Sequence, residues 1–472
     1  MTRPLVPVLV FLGMVVAVVS SLGAPLVPTI AAETHVSLAD AQWSLTISLL
    51  VGAVATPTMG RLGDGPYRRA VVLVTLATVV VGCVLAALPL PFVWLLIGRG
   101  LMGTGLGLTP LAMATARDAL TGERSRKTVA LLSITTVAGI GLGYPLTGVI
   151  AQQLSFRAAF GFGAVVTGIA FLAALLVFPS TPERPRTRLD VLGAALLGAG
   201  VAGLLLALAE VERWTPTRLV VLTGSSVVLL VWWFVQELRT ANPLVELRLV
   251  RDRSVLTADL TGLFAGTGMY ILMSLVIRFV QTPARVGYGF GASVVVAGLV
   301  LLPFSLTSVA ASRVAPVISR RVSPNAVLPL GCAIFIAAEL LFVLDRSHLW
   351  QVFLVMGIAG LGVGCTFAAL PGLIVRAVPA AETGSAMSFN QVLRYVGYSL
   401  GSVLSATVLQ AHTPSGHALP TDRGYTVAAL LGCGVLAFAG LLSAVLPGRG
   451  GTDLDELLAE ESVADALPAG AS

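Results

Sequence analysis

Charge is what this chain has least of. Only 11% of its 472 residues are Asp, Glu, Lys or Arg, where a water-soluble protein carries about 25%. No soluble fold of this length could cover the apolar remainder. Lysine is almost absent: Lys127 stands alone, and every other cation is arginine. Cys83, Cys332, Cys365 and Cys433 fall inside apolar runs without paired spacing, which argues against a disulfide framework or a metal site. The four histidines, His35, His348, His412 and His417, are scattered outside the apolar runs, so none can relay protons within them. An enzyme would need clustered His, Asp or Ser nucleophiles, and no such cluster is present. A G-x-x-x-x-G-K-[ST] phosphate loop is also missing, so ATP is not the direct energy source and no cofactor is implied. No basic patch stands clear of the apolar runs, which speaks against nucleic-acid binding.

What is abundant points to a bilayer. Hydrophobic residues make up 56% of the chain, and mean hydropathy is +0.93. Fifty glycines and 26 prolines are tolerated in membrane helices, where neighbouring helices re-satisfy freed backbone groups. Runs of about 20 apolar residues are candidate spans. They fall near 5–28, 42–62, 70–90, 93–116, 128–150, 158–178, 190–209, 219–237, 255–277, 289–311, 326–344, 350–374, 386–410 and 425–446. The first is too long for the core of a signal peptide. With the N-terminus in the cytoplasm, twenty of the 29 cations lie on the cytoplasmic side and seven opposite, while Arg99 and Arg394 lie within runs. The expected location is a bacterial inner membrane, with both termini cytoplasmic. The acidic stretch after Pro447 reads as a solvated tail.

The chain also repeats itself. Gly60-Arg61-Leu62-Gly63-Asp64-Gly65-Pro66-Tyr67-Arg68-Arg69, after the second run, shares its arginine spacing with Ser312 to Arg321, after the tenth. Gly103-Thr104-Gly105-Leu106-Gly107 matches Gly360 to Gly364, and Gly143-Tyr144-Pro145-Leu146 matches Gly397-Tyr398-Ser399-Leu400. The common offset of about 255 residues implies two six-helix pseudo-repeats around two inserted helices, the plan of a rocking transporter with its site at the interface. The expected divisions are a first half at 1–178, central loops with the two inserted helices at 179–254, a second half at 255–446, and the tail at 447–472.

Three of these stretches carry a family resemblance. The loop from Gly60 to Arg69 resembles the G-x-L-x-D-x-x-G-R-R signature of the major facilitator superfamily, with Tyr67 where the family usually has glycine. The resemblance implies that Gly60, Asp64, Arg68 and Arg69 latch the two halves on the cytoplasmic side. A carboxylate such as Asp64 also suits a helix start, where the dipole is positive. Arg99 with Gly103 and Gly105 looks like the family's R-x-x-x-G-x-G motif, whose arginine is associated with proton coupling. Pairing of Arg99 with a backbone carbonyl is the structural alternative. The fifth run, with Gly139, Gly143, Pro145 and Gly148, resembles the antiporter signature of the superfamily, although Tyr144 interrupts the usual Gly-Pro pair. Its glycines imply tight packing against a span of the other half. With fourteen spans, the whole chain looks like the drug:proton antiporter branch. It departs from that branch in lacking a carboxylate in the first run.

The proton therefore needs another carrier. Asp259, about one turn into the ninth run, is the first candidate, and an aspartate snorkelling to the surface is its alternative. Glu339 lies nearer an outer end, where it can reach the interface. On one helix face, Gln391 and Arg394, with Asn390 beside them, line a cavity or pin a helix end. Tyr270 and Met273, with Met269 four residues before it, suit an adaptable pocket or an ordinary core. The resulting expectation is an all-α membrane protein of fourteen spans with the major facilitator fold. It would be a monomeric, proton-coupled antiporter exporting hydrophobic or cationic small molecules such as drugs. Its partners would be substrate, protons and lipid, with no metal. A dedicated exporter of one metabolite or antibiotic, or a symporter importing a nutrient, are the rival readings.

Overall fold

The computed structural model describes residues 5–22, 26–36, 38–179, 190–209, 214–240, 243–245, 247, 252–321, 326–379, 382–414 and 419–446. The acidic tail and most of the central linkers lie outside these residues. The described chain is helical: α1 (Leu5–Ser21), α2 (Val27–Thr34), α3 (Leu38–Asp64), α4 (Arg68–Ala87), α5 (Phe92–Gly103), α6 (Leu108–Ala119), α7 (Gly122–Gln153), α8 (Phe156–Val177), α9 (Val191–Ala209), α10 (Pro216–Arg239), α11 (Arg253–Gln281), α12 (Val294–Leu299), α13 (Leu301–Arg321), α14 (Val327–Leu344), α15 (Leu349–Ala377), α16 (Thr383–Ala411) and α17 (Asp422–Val445).

Each of the fourteen apolar runs falls on helix, and three are interrupted. The first divides into α1 and α2, with Pro28 in the first turn of α2, where a missing N–H does no harm. The fourth passes from α5 to α6 through a 3-10 turn at Thr104–Gly107, and the tenth divides into α12 and α13. Side-chain caps mark several starts. Ser155 accepts from the Ala158 amide, Asp252 from Ser254 and Ser293 from Val296.

Ten stretches among the described residues are long and apolar enough to cross a membrane: α3 from Trp43, α4, α5 with α6, α8, α10, α11, α14, α15, α16 and α17. Shorter apolar helices lie at Leu5–Val19, Val191–Ala207 and Val295–Ala311. The count supported by length and composition is thus ten, against the fourteen expected. Large apolar side chains face outward on these helices, among them Val74, Val165, Leu172, Leu176, Val220 and Leu441. Only lipid makes so much exposed apolar surface favourable.

Helices α1 to α8 pack chiefly among themselves, as do α11 to α17. The two sets meet along two main seams, α3 against α16 and α7 against α13. The pair α9 and α10 lies over the first seam. Leu196, Leu197, Val201 and Trp233 join Ala53 of α3 and Val392 of α16 in one apolar cluster. The Trp233 ring sits 5.9 Å from that of Phe389.

Candidate functional site

At the arginine-rich end of the first seam, glycines bring α3 and α16 together. A β-carbon on Gly60 would collide with Ser388 Oγ and the Gly384 carbonyl; one on Gly384 would collide with Asp64 and the Gly60 carbonyl. That approach lets the buried Asp64 carboxylate, at the end of α3, cap the start of α16. Its oxygens accept from the Gly384 amide at 2.7 Å and the Ser385 amide at 2.8 Å. These N–H groups have no partner within their own helix, and the dipole there favours an anion. Two arginines join the contact. Arg61 Nη1 lies 2.5 Å from Glu382 Oε2. Arg117 Nη2 donates to the Val375 and Val378 carbonyls at 2.8 Å, and its Nη1 to Thr383 Oγ1 at 2.5 Å. One arginine thus caps the end of α15 and touches the start of α16.

The paired arginines of the signature stay at home. Arg68 donates to the Gly63 carbonyl at 2.7 Å and pairs with Asp118 at 2.5 Å. Arg69 reaches the Leu175 carbonyl at 2.9 Å. Both contacts lie within α1 to α8, whereas Arg61 and Arg117 carry charge across to the ends of α15 and α16. Their spacing carried no signal, because their partners lie 321 and 258 to 266 residues away.

Arg99 is enclosed in the first set. Its Nε donates to the Ser44 carbonyl at 2.8 Å and its Nη1 to the Val19 carbonyl at 3.4 Å, while Ser48 Oγ donates back to the Arg99 carbonyl. Its guanidinium lies 5.9 Å from the Phe160 ring centre. Carbonyl pairing, the structural alternative, is therefore the observed geometry.

The fifth-run glycines pack differently from expectation. A β-carbon on Gly139 would collide with Ala17, and one on Gly143 with Ser21. Both neighbours belong to α1, in the same set, so these glycines do not face the other half. Pro145 does cross, lying against Gly298 of α12, while Gly148 has open space beside it. The Tyr144 side chain lies outside the described residues.

The corresponding pair in the second set, α11 and α16, is also glycine-packed. A β-carbon on Gly397 would collide with the Leu263 carbonyl, and one on Gly401 with that of Thr267. Small residues permit such backbone approach in membranes. Here, however, polar groups fill the contact. Asp259 is 3% exposed, which removes the snorkelling alternative. Asn390 Nδ2 donates to Asp259 Oδ1 at 3.0 Å and to the Ala258 carbonyl at 3.1 Å, while Asp259 Oδ2 has no partner. One turn along α16, Arg394 donates to Gln391 and lies 3.4 Å from Ser133 Oγ of α7; its guanidinium covers the Phe367 ring at 4.9 Å. Ser133 in turn donates to the Phe367 carbonyl of α15 at 2.7 Å. Arg394 therefore reaches across to the first set, whereas Asn390 bonds to α11 within the second set and Gln391 to Arg394 on its own helix.

Tyr270 belongs to the same region, stacked on Tyr398 with ring centres 5.3 Å apart. Met273 is buried with Met269 in the apolar cluster that also holds Tyr395 and Tyr398. Glu339 is fully buried rather than interfacial, lying against Gly432 of α17 with Cys433 alongside. Among the described residues, no group of three or more His, Cys, Asp or Glu could hold a metal ion.

The chain matches the Major Facilitator Superfamily over residues 9–402 and again over 258–462. It is 24% identical over 381 residues to the MFS-type transporter YvkA of Bacillus subtilis (strain 168), covering 80% of this chain and 84% of that protein. Identity to Multidrug resistance protein 3 of the same organism is 25% over 372 residues, covering 77% and 71%. Identity to the Tetracenomycin C resistance and export protein of Streptomyces glaucescens is 27% over 412 residues, covering 84% and 74%. Among solved structures, the human organic anion transporter MFSD10 (TETRAN) shares the fold with a TM-score of 0.64 at 17% identity, over 93% of this chain and 99% of that one. A lipid-facing helical bundle in two sets, polar groups gathered where the sets meet, and a family match over most of its length make this chain a multi-pass membrane transporter, not an enzyme, and it belongs to the Major Facilitator Superfamily.

Proposed function

We propose that the chain is a proton-coupled exporter of hydrophobic small molecules, working by alternating access through fourteen spans. The observation that carries this reading is Asp259, a buried carboxylate between α11 and α16 with one oxygen hydrogen-bonded to Asn390 and the other free. An ionised carboxylate enclosed in an apolar bundle without a cation is strongly unfavourable. Asp259 is therefore suited to hold a proton while enclosed and to release it on the less acidic side. Arg99, engaged with carbonyls, supports the first set and influences coupling only indirectly.

Fourteen spans follow if α1 with α2, α7, α9, and α12 with α13 cross the membrane beside the ten long helices. Both ends of the chain then lie with the arginines in the cytoplasm, and the Asp64 contact closes the cytoplasmic side of the seam. The relatives' names support export, since they include multidrug resistance and export of an antibiotic. A dedicated exporter of one compound class is the second reading. It is favoured by the fixed polar constellation around Arg394, where a broad pump would be served by a smooth apolar wall.

Proteoliposomes with an imposed pH gradient test the reading, with ethidium and fluorescein as probes of opposite charge. The expected result is probe movement against its gradient with proton counterflow. Asp259→Asn should abolish gradient-driven accumulation while leaving downhill exchange. Movement in the same direction as the protons, or accumulation unchanged in Asp259→Asn, would sink the proposal.

A further inference from the structure

We propose that Arg394 is the anchor for an anionic group on a planar aromatic substrate; this rests on the export reading above and names its substrate class. The argument starts from an imbalance of charge. Arg394 is 2% exposed, and its partners are the Gln391 side-chain oxygen, the Ser133 hydroxyl and the Phe367 ring. None is a carboxylate. Asp259 of α11 is held by Asn390, which lies one turn before Arg394 on α16, and the described residues show no ion pair between Asp259 and Arg394. A guanidinium enclosed in a membrane bundle calls for an anion, and its planar fork matches the oxygens of a carboxylate or phenolate.

Unpartnered atoms around Arg394 say the same. Arg394 Nε and Gln391 Nε2 make no hydrogen bond, and the Tyr395 hydroxyl approaches Gln391 without closing one. These groups are at least nine-tenths buried. The unpartnered nitrogens, Arg394 Nε and Gln391 Nε2, can only donate, which suits a ligand that brings acceptor oxygens.

The aromatic half of the proposal comes from the helix period. Asn390, Arg394 and Tyr398 lie at i, i+4 and i+8 and share one face of α16. Gly262 and Gly266 let α11 pack closely against this face: a β-carbon on Gly262 would press on Asn390 and Arg394, and one on Gly266 on Tyr398. Tyr398 is stacked on Tyr270 and edge-on to Tyr395, with ring centres 5.3 Å and 6.0 Å apart. Arg394 and this ring platform are therefore one turn apart, about 5–6 Å, a spacing that an aryl carboxylate or a phenolic ring system bridges. Because Arg394 also reaches Ser133 of the first set, a ligand bound here would touch both sides of the moving interface, as a transported substrate must.

The test is fluorescence polarisation on the purified full-length protein in nanodiscs, with fluorescein as the anionic probe and ethidium as the cationic one. Fluorescein should bind saturably and ethidium at least about tenfold more weakly. Arg394→Gln should weaken fluorescein by about tenfold or more, and Arg394→Lys, which keeps the charge but loses the planar fork, should fall between Arg394→Gln and the wild type. If Arg394→Gln does not elute as a monodisperse species, competition on the wild type decides: benzoate should displace fluorescein and benzylammonium should not. Ethidium binding as tightly as fluorescein, fluorescein affinity unchanged in Arg394→Gln, or no saturable binding of either probe would each overturn the proposal. The two readings separate cleanly. Arg394-dependent binding without proton-driven movement leaves this inference and removes the coupled exporter. Proton-driven ethidium movement without fluorescein binding does the reverse.

Discussion

The two seams between the helix sets are built with opposite chemistry. Where α3 meets α16, glycines touch backbone to backbone, a carboxylate caps a helix across the seam, and Arg61 pairs with Glu382. Where α7 meets α13, the contact is an apolar cluster of Ile134, Ala311 and Ala315, with Cys365 and Ala368 of α15 behind it. The first seam is also covered by α9, through Leu196, Leu197 and Val201. Directional bonds hold one position and are lost together, whereas an apolar contact tolerates small sliding because its energy depends on area rather than direction. The polar seam is therefore suited to two discrete states and the apolar seam to a continuous pivot.

Three substitutions sharpen that contrast. The largest effect is expected from Gly384→Leu, whose side chain would strike Asp64 and the Gly60 backbone. Gradient-driven transport should disappear, and the melting temperature of the purified protein should fall. Normal transport in this variant would show that the polar seam need not close. Asp64→Asn comes next. One of the two amides now meets an N–H instead of an acceptor, at a loss of about 1–3 kcal/mol. Transport should drop while folding survives, as read by vesicle uptake beside a gel-filtration profile. Ile134→Val, at the apolar seam, should be the mildest, with a loss of about 0.5–1.5 kcal/mol and transport near wild type. If the Ile134 change proves more damaging to transport than the Asp64 change, the assignment of discrete states to the polar seam is wrong.

A second comparison shows why some residues were legible and others not. The pairs α1 with α7 and α11 with α16 both use glycines to bring helices close. The glycine spacing was visible in the sequence, but its direction was not. Gly139 and Gly143 could face any neighbour, and only the packed chain turns them toward α1. In the same way, Asp64 stood out because the signature around it is local. Its receiving amides at Gly384 and Ser385 did not, since a backbone N–H has no side-chain signature. Arg61 and Arg117 cross to partners 258 to 321 residues away, while Arg68 and Arg69, which close the signature, make their contacts within their own set. Met273 shares one packed cluster with Tyr395 and Tyr398, and hydropathy reads apolarity without telling a pocket wall from a packed interior.

Composition and apolar length by themselves determined that the chain lives in a bilayer and where its helices run, since both are properties of short stretches. The tertiary structure alone decided which charges meet across the seam, that Asp259 is enclosed with Asn390, and that Arg394 faces neutral partners. Those facts depend on side chains more than 100 residues apart coming within hydrogen-bond distance, and no local pattern encodes such a distance.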